Sequence, residues 1–111
     1  MRHGDALKRV STIEKVSGDS PAQSGTVGTR LPEPFVVVVK DATGNPRSGV
    51  GVVFRVDAGG GTLTTVNGVT DAQGQAQTTL TLGAASGVNT VSAASPGLVG
   101  SPIVFNAVGV T

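Results

Sequence analysis

From residue 12 onward, apolar and polar positions alternate in short runs separated by Gly, Pro, Asn or Asp about every 8–12 residues, the spacing of an all-β sandwich or barrel. The two strongest runs are Phe35 to Val39 and Val50 to Asp57, on either side of the turn segment Lys40-Asp-Ala-Thr-Gly-Asn-Pro-Arg. Side chains on a strand point alternately to its two faces. With Lys40 in water, Phe35, Val37 and Val39 take the core face and Val36 and Val38 the other. In the next strand Val50, Val52, Phe54 and Val56 alternate against Gly51, Val53, Arg55 and Asp57, which makes its core face unambiguous. Gln75 to Leu82 reads as one antiparallel strand, with Ala76, Thr78, Leu80 and Leu82 inward. Ile13–Ser17, Gln23–Val27, Thr62–Val66, Asn89–Ala94 (with Val91 and Ala93) and Pro102–Val108 (with Ile103, Phe105 and Ala107) complete about seven strands in two packed sheets. The expected core is Phe35, Val37, Val39, Val52, Phe54, Val56, Leu80, Leu82, Val91 and Phe105.

At 111 residues the chain is long enough for one modest core and too short for two. The 17 Gly, with three Phe as the only aromatics, favour strands and tight turns over helices. Met1 to Ser11 is charged and holds the single His, and is read as a disordered linker or expression scar; residues 12–111 form the domain. The longest apolar run is far too short to cross a bilayer, and no signal peptide or anchor is recognisable, so the chain is expected to be a piece of a longer exported protein.

Net charge is +1, and the basic residues are interleaved with acids and lack stacking aromatics, which leaves no footprint for nucleic acid. Beyond Asp57 only Asp71 carries an ionisable side chain, so the last strands depend on Thr, Ser, Gln and Asn for solubility. Without cysteine there is neither a disulfide nor a thiol nucleophile. A Ser-His-Asp triad would have to recruit His3 from the tail. The run Gly59 to Gly61 lacks the Lys and Ser/Thr of a phosphate loop and leads into a strand; it reads as a flexible connection or a close backbone approach. Scattered acids and scarce aromatics argue against glycoside cleavage and lectin sites. The chain is not expected to be an enzyme or to need a cofactor.

One internal echo stands out. Asp41-Ala-Thr-Gly44-Asn45 and Asp71-Ala-Gln-Gly74-Gln75 share Asp at the start of a turn and Gly at its fourth position, where Asp bonds the backbone two residues on and Gly accepts a positive φ. Asp41, Thr43 and Asn45 also place oxygens at alternate positions, as calcium loops do, but no bidentate Glu follows and the turn reading is preferred. Lys40 and Asn106 are weighed as an intramolecular cross-link, on strands expected to be able to neighbour. That chemistry requires a buried carboxylate beside the pair.

Taken in order, the segments Ser17-Gly-Asp19, Gln23 to Thr29, Leu31 to Val56, Ala58 to Leu63, Thr70 to Gly83, Gly87 to Ser95 and Ser101 to Gly109 resemble the bacterial immunoglobulin-like domains of group one, the invasin and intimin type. Arg47 and Gly51 depart from the family's usual apolar or β-branched residues. The resemblance implies an immunoglobulin-like antiparallel sandwich, a location outside the cell or on its surface, and tandem repeats forming a stalk. A non-catalytic spacer in an adhesin-like protein is therefore expected, with neighbouring repeats as partners. The alternatives are a module binding a host protein or glycan through Gly59–Gly61 or the Arg47 and Arg55 region, and an accessory domain of a phage virion protein or secreted hydrolase. Lys40, Pro32 and Pro34 blunt the sheet edges, so a monomer is expected.

Overall fold

The structure, a computed structural model, describes residues 11–19 and 22–111. The tail assigned to Met1–Ser11 therefore falls outside the described residues except for Ser11. That residue is buried, and its carbonyl accepts a bond from the Val99 amide, so it belongs to the sandwich.

All regular structure among the described residues is β. The strands are β1 (Thr12–Ser17), β2 (Gln23–Thr26), β3 (Phe35–Lys40), β4 (Gly51–Ala58), β5 (Thr62–Leu63), β6 (Asn67–Val69), β7 (Gln75–Thr78), β8 (Leu80–Thr81), β9 (Gly87–Ala94) and β10 (Ile103–Val110). They form a three-stranded sheet ordered β1-β3-β7, a five-stranded sheet ordered β2-β10-β9-β4-β6, and a two-stranded ladder of β5 with β8. Every pairing is antiparallel except that of β2 with β10, which is parallel from Gln23↔Ala107 to Thr26↔Val110.

Between the two large sheets lies one core of Ile13, Leu31, Phe35, Val37, Val39, Val52, Phe54, Ala76, Leu80, Leu82, Val91, Ala93, Phe105 and Ala107, with Val56 packed against it half-buried. Phe35 from one sheet and Phe105 from the other stack with ring centroids 4.7 Å apart and planes inclined by 16°. Offset stacking of this kind adds about 1 kcal/mol to the area both rings bury. Leu31 reaches the core because the Thr29–Leu31 segment is pinned to β8: the Leu31 amide donates to the Leu80 carbonyl and the Leu82 amide to that of Thr29.

Three features differ from the strand pattern expected above. Val36 and Val38, placed on a solvent face, are only 7% and 9% exposed. Strand β3 is central in its sheet, so Val36 stands between Ser17 and Gln77 and Val38 between Glu14 and Gln75. Long polar side chains can screen a valine with their aliphatic stems. The run Gln75–Leu82 is not one strand: it breaks at Thr79, where β7 leaves β3 and β8 joins β5. Its inward alternation survives the break, because Ala76, Thr78, Leu80 and Leu82 are all buried. The expected strand Thr62–Val66 is shorter than its pattern: only Thr62–Leu63 forms β5, paired with β8, and the chain bends at residues 64–66 before β6 pairs with β4.

Candidate functional site

The strand order sorts the loops into two poles. Around Ser11 lie the β3–β4 turn, the β6–β7 turn and the β9–β10 loop. Around Thr111 lie the β2–β3 turn, the Gly59–Gly61 run and the β8–β9 loop.

At the first pole the two Asp turns have the same design. Asp41 Oδ1 accepts from the Thr43 amide at 2.9 Å, the Thr43 hydroxyl at 2.7 Å and the Asn45 amide at 3.0 Å. Asp71 Oδ1 accepts from the Gln73 and Gln75 amides at 2.9 and 3.0 Å. The Thr43 hydroxyl, followed by the Asn45 amide, holds the Asp41 carboxyl below its ordinary value. Thr43 Oγ1 accepts in turn from Asn45 Nδ2 at 3.0 Å. Asp41 Oδ1 and Thr43 Oγ1, two of the oxygens weighed as calcium ligands, are therefore engaged in the turn's own hydrogen bonds. Among the described residues, no group of three or more His, Cys, Asp or Glu is placed to hold a metal ion.

The paired turns differ in their surroundings. Gly44, at φ 90°, has nothing near the position of a Cβ, whereas at Gly74, at φ 75°, a Cβ would lie 2.6 Å from the Val39 carbonyl and 2.9 Å from Pro46 Cβ. The second turn is tucked under β3, and the Gly74 carbonyl accepts from the Val39 amide at 2.7 Å. Arg47 bonds the Ser11 hydroxyl through Nη1 at 3.2 Å, and Thr70 joins two loops by donating to the Arg47 carbonyl at 2.6 Å while accepting from the Val50 amide at 2.9 Å.

The opposite pole is organised by a residue the sequence reading passed over. Asn89 is 1% exposed; its Oδ1 accepts from the Gly83 amide at 3.3 Å and its Nδ2 donates to the Gly87 carbonyl at 3.4 Å. Three glycines let backbone close around it. A Cβ on Gly59 would collide with the Asn89 amide, one on Gly61 with the Thr81 carbonyl, and one on Gly83 with the Gly59 carbonyl. Of the two readings given to Gly59–Gly61, close backbone approach describes Gly59 and Gly61, while Gly60 is open. The signal for Asn89 was present in the strand pattern, since period two sets it on the same face as Val91 and Ala93.

Outside the poles, the outward face of the large sheet carries a shallow groove of about 230 Å³ floored by Ser92 and Ala94 and flanked by Val53, Arg55, Pro102 and Val104. Arg55 Nε donates to Asp57 Oδ1 at 2.9 Å, and this guanidinium, followed by the Ser92 hydroxyl, keeps Asp57 below the usual carboxylate range. A second cleft of about 360 Å³ opens beside β4 among Phe54, Val56, Leu63 and Val66. Lys40 and Asn106, considered for a cross-link, lie in different sheets: Lys40 pairs with Glu14 at 3.6 Å, and Asn106 Oδ1 accepts from the Thr90 hydroxyl at 2.9 Å on the outward face of the other sheet. The two strands are not paired and meet only across the core, where Phe35 stacks on Phe105.

Residues 32–108 match the family described as bacterial Ig-like domain (group 1). No curated protein sequence matches the chain. Among solved structures, the D00-D0 domain of intimin superposes with a TM-score of 0.66 at 18% identity, covering 98% of this chain and 52% of the other. FdeC, an Escherichia coli adhesin, gives 0.64 at 19% identity over 94% of this chain and 31% of its own. Domains 4 and 5 of the S-layer protein SbsC give 0.63 at 20% identity over 90% and 51%. The chain thus spans about half the length of the intimin and SbsC fragments it resembles. Likeness at this identity establishes the fold, and the family match over most of the sandwich establishes the lineage: the chain belongs to the bacterial Ig-like domains of group 1.

Proposed function

We propose that this domain is a non-catalytic spacer in a secreted or surface-displayed bacterial protein of adhesin type, where it holds neighbouring modules, sister Ig-like repeats among them, at a set distance. The observation that carries the reading is the placement of the two ends of the sandwich, Thr12 and Thr111. Thr12 lies beside Val99, just before β10 begins, and Thr111 follows β10 directly. The ends are therefore separated by the length of an eight-residue strand, roughly 25 Å at the usual rise. Both poles consist of short loops tied down by buried hydroxyls and Asn89, a construction suited to transmitting orientation from one module to the next.

The test is retention of the labelled domain on epithelial cells, matrix proteins and a glycan array. Background binding throughout is the expected result. Saturable retention that unlabelled domain displaces would replace the spacer with a ligand-binding module, and substitutions in the Arg55–Asp57 groove and the Gly59–Gly61 loop would then locate its site.

A further inference from the structure

The first and last described segments of the sandwich, Ser11–Asp19 with Gln23–Val27 and Val99–Val110, run side by side in the same direction. Ser11 to Ile13 brackets Val99, with the Ile13 amide donating to the Val99 carbonyl and the Val99 amide to that of Ser11, both at 3.0 Å. Further along, Lys15 Nζ stands 4.9 Å from the centre of the Phe105 ring. Asp19 Oδ2 then accepts both Lys15 Nζ and the Asn106 amide at 3.0 Å. After the β1–β2 connection, Gln23–Thr26 forms the parallel ladder with Ala107–Val110, and the Val27 amide closes the series on the Val110 carbonyl at 2.9 Å. Gln23 steadies the approach to that ladder: its Nε2 donates to the Gly18 and Glu33 carbonyls at 2.6 and 2.9 Å.

Tension between neighbouring modules pulls the first segment back toward Ser11 and the last one forward toward Thr111. Because the two segments are parallel and adjacent, that load slides one along the other, and it falls across all of these bonds at once instead of opening them singly. We propose that this seam, with Asp19 and the Val27–Val110 bond as its discrete joints, is a shear clamp that sets the resistance of the domain to end-to-end force. The biological use of the clamp rests on the spacer reading; its existence does not. Forced unfolding is governed by the unfolding rate, so interactions broken at the barrier count and the rest do not.

Val27 offers a clean cut. Thr26–Thr29 is a turn closed by the Thr29 amide on the Thr26 carbonyl, with Gly28 at φ 76° as its third residue. Proline is favoured at the second position of such a turn, so Val27→Pro keeps the turn and removes one seam donor. Asp19→Ala removes the other joint. Thr78→Val is the control: the Thr78 hydroxyl bonds the Thr65 amide and carbonyl, away from the seam.

The measurement is constant-force unfolding of the 111-residue chain held by its ends. Each seam variant is expected to unfold about five-fold faster under load, the equivalent of the ~1 kcal/mol of one net hydrogen bond. Thr78→Val is expected to stay within about two-fold of the parent rate although it lowers equilibrium stability. The chain has no native cysteine, so handles at Thr12→Cys and Thr43→Cys pull from one pole and peel β1 from β3. This geometry is expected to yield at lower force and to ignore Val27→Pro. Unchanged rates in both seam variants, or equal acceleration by the control, would overturn the clamp and leave the spacer reading standing. Saturable host binding would overturn the spacer reading and leave the clamp intact.

Discussion

The two Asp turns share a local sequence but not an environment, and alanine at their glycines separates the contributions. Gly44→Ala meets no neighbour, so its cost is that of holding an L-residue at positive φ, about 1 kcal/mol. Gly74→Ala carries the same strain and adds a Cβ 2.6 Å from the Val39 carbonyl and 3.0 Å from the Arg47 amide, both backbone and unable to swing aside. Relief requires shifting β3 against the turn, which weakens the Val39 amide bond to the Gly74 carbonyl and the Arg47 amide bond to the Val39 carbonyl. Two net hydrogen bonds contribute about 2 kcal/mol, and residual crowding adds about another 1 kcal/mol. The expected loss for Gly74→Ala is therefore about 4 kcal/mol, a large part of the stability of so small a domain. The gap of about 3 kcal/mol between the variants corresponds to a melting temperature lower by about 15 °C. Urea denaturation followed by circular dichroism measures it, with equal m-values required for the comparison. If the two variants lose the same stability within about 0.5 kcal/mol, the tucked position of the second turn is wrong.

Among the aromatics, Phe105→Ala removes a ring stacked on Phe35 at the centre of the core, and is expected to cost about 5 kcal/mol by chemical denaturation; Phe54→Ala, whose site borders the open cleft beside β4, should cost nearer to 3 kcal/mol. Equal losses would refute the difference in enclosure. Asn89→Leu leaves the Gly83 amide without its partner and crowds three glycine segments, so a loss of about 3 kcal/mol is expected, with faster hydrogen exchange at Gly83 as its local signature. Asp41 and Asp57 are both depressed in the folded state, so the unfolded chain binds more protons in acid and stability rises with pH there. Their contribution is complete above the ordinary carboxylate range, near pH 5, and is lost as pH falls through the folded values. Asp41→Asn is expected to flatten the acid limb of a stability profile, and an unchanged slope would refute its turn-locking role.

The facing of the strands was legible because it is a local property. Period two alone aligns Val52 with Phe54 and Leu80 with Leu82, and it also set Asn89 beside Val91, a polar residue on a core face that marks a buried network. The Asp-Ala-x-Gly repeats were equally legible as turns, since the Asp carboxylate bonds amides only two and four residues away. Pairing was not local. Whether Val36 and Val38 face water depends on which strands flank β3, and nothing within Phe35–Lys40 says that Glu14, Gln75 and Gln77 will cover them. The break at Thr79 has the same origin, because the run from Gln75 is continuous in pattern yet divided between partners that belong to different sheets. Tertiary structure alone decided that Gly74 is enclosed while Gly44 is open, that Gly59 closes on Asn89, and that Asp19 meets Asn106. Side-chain alternation is written residue by residue, whereas these contacts join positions distant in sequence that come together only when the two sheets pack.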